Sequence, residues 1–238
     1  MLLCDLNCDM GEGMANDETI MPFITAANIA CGYHAGDDIT MNKTVLLAKK
    51  HGVRVGAHPS FFDRENFGRS EIRTTAEEVY ELVGRQIRIL RRVAALHGIS
   101  LHHVKPHGAL YNMAAKNPDF ASAIVQAVRD TDPALILYGL SGSYLISEAE
   151  KAGIPSCSEV FADRRYGADG NLTPRADAGA LISSAEEVVR QVLQMVQKNI
   201  VTTLSGTTVP VKAETICIHG DGPHAIEFAR AIHAAISR

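Results

Sequence analysis

The 238-residue sequence contains no tryptophan, and aromatic residues of all kinds make up only 5% of it. Its longest apolar runs, such as residues 134–140, are far shorter than the roughly 20 residues that a membrane-spanning helix needs. Lysine and arginine number 23 against 27 aspartate and glutamate residues, and there is no long run of like charge. A nucleic-acid-binding protein needs a basic stripe to neutralise phosphates. The sequence therefore predicts neither a membrane nor a nucleic acid as a partner.

Signals for a disulfide framework or a thiolate metal site are also missing. The five cysteines are odd in number and widely spaced, and they form no Cys-x-x-Cys pair. The first residues lack the basic start and the apolar stretch of a secretory signal peptide. We therefore expect reduced thiols and a cytoplasmic protein.

Short β-rich runs alternate with longer segments of helical spacing, which is typical of parallel strands joined by helices. The predicted strands lie at residues 2–7, 25–30, 53–57, 101–105, 135–140, 157–161 and 215–219. Seven such units fit an incomplete or distorted (β/α)7 TIM-like barrel or an open, doubly wound sheet. No Gly-x-Gly-x-x-Gly motif follows a strand, which disfavours the dinucleotide-binding open sheet. We therefore expect the α/β barrel.

Helix starts are marked by capping signals. Thr75 with Glu78, and Ser184 with Glu187, have the spacing of capping boxes, and Asn117 precedes a proline that suits a first helical turn. No linker or low-complexity tract divides the chain. Residues 1–238 are therefore predicted to form a single barrel domain, with a hairpin inserted near residues 200–212.

Polar residues follow almost every predicted strand, at the rim where barrel enzymes carry out their chemistry. The candidate catalytic residues at this rim are Asp9, His34, His58, Lys105, His107, His219 and Asp221. The candidate substrate-binding residues are Asn7, Glu12, Arg64, Arg69, Asp163 and Arg164. Because these residues come from six separate segments, we expect them to meet in one pocket.

Each residue type suggests a chemistry and has a plainer alternative. Asp5, Asn7 and Asp9 alternate along an extended chain and so share one side of it, and neighbouring carboxylates with different pKa values supply both a base and an acid. The alternative is that Asp9 and Glu12 only cap a glycine turn. Four histidines after four strands favour a proton shuttle or a metal site, in which Asp9, His34 and His58 are the expected ligands.

Cationic residues at the rim suggest recognition of a carbonyl, a carboxylate or a phosphate. Lys105 can polarise a carbonyl or hold a phosphate, unless it is an ordinary surface lysine. Arg64, Arg69 and Arg164 can grip a carboxylate through paired hydrogen bonds, unless they only pair with nearby acids.

Seven motifs in order along the chain resemble those of the LamB/YcsF family. They are DLNCDMGE at 5–12, NIACGYHAGD at 28–37, GAHP at 56–59, FGR at 67–69, VKPHGALYN at 104–112, FADR at 161–164 and IHGD at 218–221. The resemblance implies a barrel related to the glycoside hydrolase/deacetylase group. It also implies a hydrolase that takes part in the ATP-dependent opening of 5-oxo-L-proline (pyroglutamate) to L-glutamate, active with 5-oxoprolinase subunits B and C as its partners.

The implied reaction suggests ATP as cosubstrate, with Mg²⁺, since phosphorylation would activate an unstrained lactam. The chain has no Walker-type phosphate loop, and residues 139–143 are either a weak anion cradle or a plain turn. We hypothesise that Asp9 with His34 or His58 activates water. Lys105 and His107 would contact the lactam oxygen or its phosphate, with Asp221 and His219 in orienting roles.

Two other functions remain open from the sequence. One is a metal-dependent carbohydrate deacetylase, which would use the same acids and histidines around a tightly bound ion. The other is a non-catalytic subunit that binds the substrate and presents it to its partners.

Overall fold

The computed structural model describes residues 3–237, and within this range seven parallel strands close into a barrel. The barrel strands are β1 Asp5–Met10, β2 Ala26–Ala30, β3 Arg54–His58, β4 His103–Val104, β5 Ile136–Leu140, β6 Ser156–Phe161 and β9 Thr215–Ile218. They neighbour one another in that order, and β9 pairs with both β6 and β1; the two strands between β6 and β9 in the chain, β7 and β8, lie outside the barrel. The prediction of a (β/α)7 TIM-like barrel is confirmed, and the open sheet was the wrong alternative.

The first strand lies further along the chain than the sequence predicted. It runs from Asp5 to Met10, whereas the prediction was 2–7, of which Leu2 lies outside the described residues. Leu6, Cys8 and Met10 are buried in the apolar core, while the residues between them face the barrel interior. Asn7 and Asp9 are therefore part of the strand and not of a loop after it.

Helices surround the barrel and supply the apolar layer that buries its outer face. Their bounds are α1 Asp17–Ile20, α2 Asp38–His51, α3 Ala76–Leu96, α4 Gly108–Lys116, α5 Pro118–Thr131, α6 Tyr144–Ala152, α7 Ala185–Lys198 and α8 Ala225–Ile236. The capping box of Thr75 and Glu78 on α3 is confirmed. At α7, Ser184 accepts a hydrogen bond from the Glu187 N–H, but the Glu187 carboxylate pairs with Arg165 instead of completing the box.

A two-stranded antiparallel hairpin lies outside the barrel sheet. Its strands are β7 Ile200–Thr202 and β8 Thr208–Pro210, and Val201 pairs with Val209. That the whole chain is one domain stays a prediction. None of the helices within residues 3–237 has both the length and the apolar character to span a bilayer.

Candidate active site

The inside of the barrel is polar, unlike the apolar layers that usually fill such barrels. Asn28 donates through Nδ2 to Asn7 Oδ1 and Asp9 Oδ1, both at 2.8 Å, and its own Oδ1 lies 2.8 Å from His103 Nε2. Asn7 donates in turn to Glu159 Oε1 at 2.9 Å. These side chains are buried, and their mutual hydrogen bonds replace the water they lose.

Lys105 sits in the middle of this network and is only 2% exposed. Its ammonium lies 2.9 Å from Asp9 Oδ1 and 3.0 Å from Glu159 Oε1, and it donates to Cys217 Sγ at 2.9 Å. Burial disfavours the charged ammonium, but the neighbouring acids, Asp9 first among them, outweigh this and raise the pKa of Lys105 well above its usual value. Lys105 is therefore a fixed positive charge and not a base.

Asp9 and Glu12 are close carboxylates with opposite pKa shifts. Burial raises the pKa of Asp9, but the positive charges of His58 and Lys105 more than cancel that effect, so its pKa falls well below the usual range. Burial and the negative charge of Asp9 raise the pKa of Glu12 well above its usual value. Asp9 is thus kept ionised, while the isolated protein favours a protonated Glu12.

Three histidines meet beside Glu12. The His34 and His107 rings stack with their centroids 3.9 Å apart, and His58 contacts both rings edge-on. Glu12 Oε1 lies 3.0 Å from His34 Nε2, 3.6 Å from His107 Nδ1 and 3.9 Å from His58 Nε2. Burial lowers the pKa of His34 to about 2 and that of His107 well below its usual value. Both rings are therefore neutral at physiological pH.

The loop after β3 holds this cluster in place. Phe67 has φ 57°, a left-handed conformation that costs a non-glycine residue about 1–3 kcal/mol, and its carbonyl oxygen accepts a hydrogen bond from His107 Nε2 at 2.9 Å. Gly68 follows with φ 67°, and a Cβ there would come within 2.3 Å of Ser60 Oγ and 2.9 Å of His34 Cβ. Glycine at 68 therefore lets the loop close over the imidazoles.

Arginines form the opposite wall. Asp221 pairs with Arg69 and Arg175. Arg164 is buried and donates to the Thr173 carbonyl oxygen at 2.7 Å, while its Nε has no hydrogen-bond partner among the described residues. Burial, followed by the charge of Arg175, lowers the pKa of Arg164.

His219 and Asp163 form a separate buried pair on this side. The Asp163 carboxylate lies 3.0 Å from His219 Nδ1. Burial raises the pKa of Asp163, but the His219 charge and hydrogen bond together with the nearby arginines bring it below the usual range. The pair fixes the orientation of the His219 ring, whose other edge borders the cavity.

A cavity of about 240 Å³ separates the two walls. Seven of the predicted site residues line it, namely Asp9, His58, Arg69, Lys105, His107, Arg164 and His219. Five others stand behind that lining, in contact with its members or with the histidine cluster: Asn7, Glu12, His34, Asp163 and Asp221. A cavity of this size suits a small metabolite and is below the usual range for drug-sized ligands.

Arg64 is the predicted residue that the structure does not bring to the cavity. Its side chain is exposed, and its guanidinium donates to the carbonyl oxygens of Gly32 and Gly36. Arg64 thereby ties two loops together. The predicted anion cradle at 139–143 leads directly into α6, with Ser143 at the N-cap and its Oγ buried without a partner within residues 3–237.

Four contributors escaped the sequence analysis. Asn28 and Glu159 lie inside strands, where the search for residues after strands did not look, and Cys217 was set aside as an ordinary buried thiol. Tyr111 donates its hydroxyl to Glu159 Oε2 at 2.7 Å. The available signal was Glu159, the one acid inside a predicted strand whose last two residues are apolar.

Comparison with known proteins agrees with the motifs. The model of the LamB/YcsF family matches residues 4–238. The chain belongs to this family. A relative from Staphylococcus carnosus, named as the A subunit of 5-oxoprolinase, is 52% identical, over 98% of this chain and 95% of the relative. The fold also matches a lactam utilization protein from Thermus thermophilus, with TM-score 0.91 and 44% identity, over 98% of this chain and 95% of that protein.

A more distant likeness concerns the fold alone. A family 4 carbohydrate esterase from Streptomyces lividans matches with TM-score 0.51 at 10% identity, over 98% of this chain and 86% of the esterase. This match shows a shared barrel architecture. It gives no support to deacetylase activity.

Proposed function

We propose that this chain is the A subunit of an ATP-dependent 5-oxoprolinase, a hydrolase that opens the cyclic amide of 5-oxo-L-proline to give L-glutamate. The names of its relatives support this function. The observation that carries the proposal is a small cavity with a buried Lys105 charge and imidazoles on one wall and arginines on the other. A molecule with one amide carbonyl and one carboxylate is complementary to such a cavity.

The arginine wall suits the carboxylate of the substrate. Arg69, Arg164 and Arg175 all line the cavity, and Arg164 Nε is a buried donor in need of an acceptor. A guanidinium forms paired, charge-assisted hydrogen bonds with a carboxylate. With the carboxylate anchored there, the lactam carbonyl would point towards Lys105 and His107, which can stabilise negative charge on its oxygen or on a phosphate attached to it.

The ionised Asp9 is the candidate base. Its Oδ2 lies 3.3 Å from His58 Nε2, so His58 would orient the carboxylate that takes a proton from water. The water oxygen bonds to the lactam carbon, the C–N bond breaks, and the ring nitrogen takes a proton to become the amino group of glutamate. Where the lactam oxygen carries a phosphate from ATP, C–N cleavage leaves an acyl phosphate, and a second water releases inorganic phosphate from it. Glu12 and Asn7 would hold Asp9 and the histidines in position. On the opposite wall, Asp163 would orient His219 and Asp221 would orient Arg69.

The assembled complex is proposed to use ATP as cosubstrate, with Mg²⁺, because an unstrained lactam needs activation before water attacks it. The chain is proposed to work with subunits B and C. All five cysteines are free thiols, four of them buried, which supports a reducing compartment such as the cytoplasm.

The experiment is a 5-oxoproline turnover assay with ATP, using this chain alone and then with both partner subunits. We expect glutamate to form only with the partners present. Lys105→Met should lower kcat by roughly 10²-fold or more, since loss of one charge-stabilising donor typically has that effect. Lys212→Met is the matched control, because Lys212 is exposed and its one ion pair among residues 3–237 is with Glu214.

A folded Lys105→Met protein with normal kcat would contradict the catalytic assignment. If Lys105→Met raised KM and left kcat unchanged, the chain would be a non-catalytic subunit that binds the substrate and presents it to its partners. Circular dichroism of both variants shows whether the barrel has formed.

A further inference from the structure

The nitrogen atoms of three histidines and one oxygen of Glu12 converge on a single point beside the cavity. The atoms are Glu12 Oε1, His34 Nε2, His58 Nε2 and His107 Nδ1, and all lie within 4.8 Å of one another. All four side chains are buried. His58 and His107 also line the cavity, so the point is reachable from it.

The hydrogen bonds of His58 and His107 fix where their protons are. His58 Nδ1 lies 2.7 Å from the Lys105 carbonyl oxygen, and His107 Nε2 lies 2.9 Å from the Phe67 carbonyl oxygen. A carbonyl oxygen only accepts, so these two nitrogens carry the N–H groups. With one proton on each ring, His58 Nε2 and His107 Nδ1 then each present a bare lone pair.

These two lone pairs face each other at 2.9 Å. Two acceptors at that distance repel unless a positive charge lies between or beside them. A shared proton could satisfy two atoms, but here two further atoms, Glu12 Oε1 and His34 Nε2, point to the same place. Four converging donor atoms are the arrangement of a metal site.

The spacing of the four atoms agrees with a tetrahedron. A zinc ion with ligands at about 2.0–2.1 Å has ligand atoms roughly 3.3–3.4 Å apart. Four of the six separations are 2.9, 3.0, 3.6 and 3.9 Å, which scatter around that value, and the other two are within 4.8 Å. The carbonyls behind His58 and His107 match the partners that orient metal-bound imidazoles.

We propose that Glu12, His34, His58 and His107 bind one divalent transition-metal ion, such as zinc. This set keeps His34 and His58 from the ligands expected from the sequence and exchanges Asp9 for Glu12 and His107, because Asp9 is already engaged by Lys105 and Asn28. An ion held there would present a positive charge at the cavity edge. The proposal does not depend on which substrate the cavity takes.

The test measures binding of Co²⁺ and Zn²⁺ by untagged, chelator-treated protein, without substrate. We expect one ion per chain, with the visible absorption of tetrahedral Co²⁺. Glu12→Gln, His58→Ala and His107→Ala should each weaken binding by more than the roughly 10–100-fold that loss of an outer-shell partner costs. His51→Ala, at an exposed position near the end of α2, is the matched control and should bind normally.

The absence of saturable binding by the wild-type protein would overturn the proposal and leave a shared proton as the explanation. Equal affinity in the wild type and in folded Glu12→Gln and His107→Ala variants would also overturn it. The Asp9→Asn variant should still bind the ion. If this variant alone failed to bind it, the ligands would instead be Asp9, His34 and His58, as expected from the sequence. Because no substrate is used, the site and the proposed activity can fail independently.

Discussion

At the scale of single residues, the site depends on charges that are buried but paired. Removing water from an ion costs several kcal/mol, and a close opposite charge with further hydrogen bonds has to offset that cost. Lys105 meets this condition with two carboxylates, and Asp9 meets it with Lys105, Asn28 and His58. Glu12 has no lysine or arginine as close to it as Lys105 is to Asp9 among the described residues, so burial and the charge of Asp9 raise its pKa, whereas the pKa of Asp9 falls.

Asp163 gives a prediction for the pH dependence of stability. Its pKa is lower in the folded protein than the value of about 3.9 in an unfolded chain, so its contribution is present above that pH and is lost as the pH falls through the folded pKa. Asp163→Asn should lower the free energy of unfolding at pH 7 by about 1.5–3 kcal/mol, as expected for a hydrogen bond to a charged group.

Urea unfolding from pH 7 to pH 3 measures this effect. The difference between wild type and Asp163→Asn should shrink as the pH falls below about 4, because the wild-type carboxylate is then being protonated. A difference that stayed constant over the whole range would show that the charge of Asp163 contributes nothing to stability.

How far the sequence predicts these residues depends on where they lie. Lys105 was found because it ends a predicted strand, and His34 and His107 because each follows one. Asn28 and Glu159 were not found, since the search looked after strands and their role comes from contacts across the barrel; for Glu159 alone, an acid within a strand was a local signal.

At the scale of elements, strand β1 shows why its predicted bounds were early. Strands covered on both faces are expected to be apolar throughout, and the alternating segment at 5–10 was therefore only partly included. Its inner face is polar because the interior of this barrel holds the charged network. Alternation was thus the true signal of the strand.

Strand β3 carries a glycine whose size matters. A Cβ at Gly56 would lie 2.2–2.4 Å from ring atoms of His103. The His103 ring stacks on Tyr138 and forms a hydrogen bond with Asn28. Gly56→Ala should therefore displace the His103 ring and lower the free energy of unfolding by about 1–3 kcal/mol, the usual cost of overpacking.

Chemical denaturation of Gly56→Ala beside Gly222→Ala checks this prediction. At Gly222 the nearest atom that a Cβ would meet is 3.9 Å away, so this control should stay within about 0.5 kcal/mol of the wild type. Equal stability of the two variants would mean that the His103 ring moves aside without cost.

At the scale of the whole molecule, barrel closure could not be deduced from the sequence. An open sheet and a barrel share the same local alternation of strands and helices. They differ in one long-range pairing, here between β1 and β9, in which Asp5 lies opposite Thr215. The periodicity left both folds open, the missing Gly-x-Gly-x-x-Gly motif favoured the barrel, and the family resemblance pointed to the same fold.

The prediction of a single domain is testable by calorimetry. With about 0.7 kcal/mol per residue near 60 °C, the 238-residue chain should unfold with an enthalpy on the order of 170 kcal/mol. If the barrel unfolds as one unit, the calorimetric and van't Hoff enthalpies should agree. Two resolved transitions, or a calorimetric enthalpy about twice the van't Hoff value, would indicate two domains.

The contacts of Lys105 join three separate parts of the ring, since Asp9 lies on β1, Glu159 on β6 and the lysine itself just after β4. A sheet that lacks β1, β4 or β6 cannot bring these three groups together. Recovery of catalysis after refolding should therefore follow the pairing of these distant strands, whereas helix signals can return earlier in molecules that are still inactive.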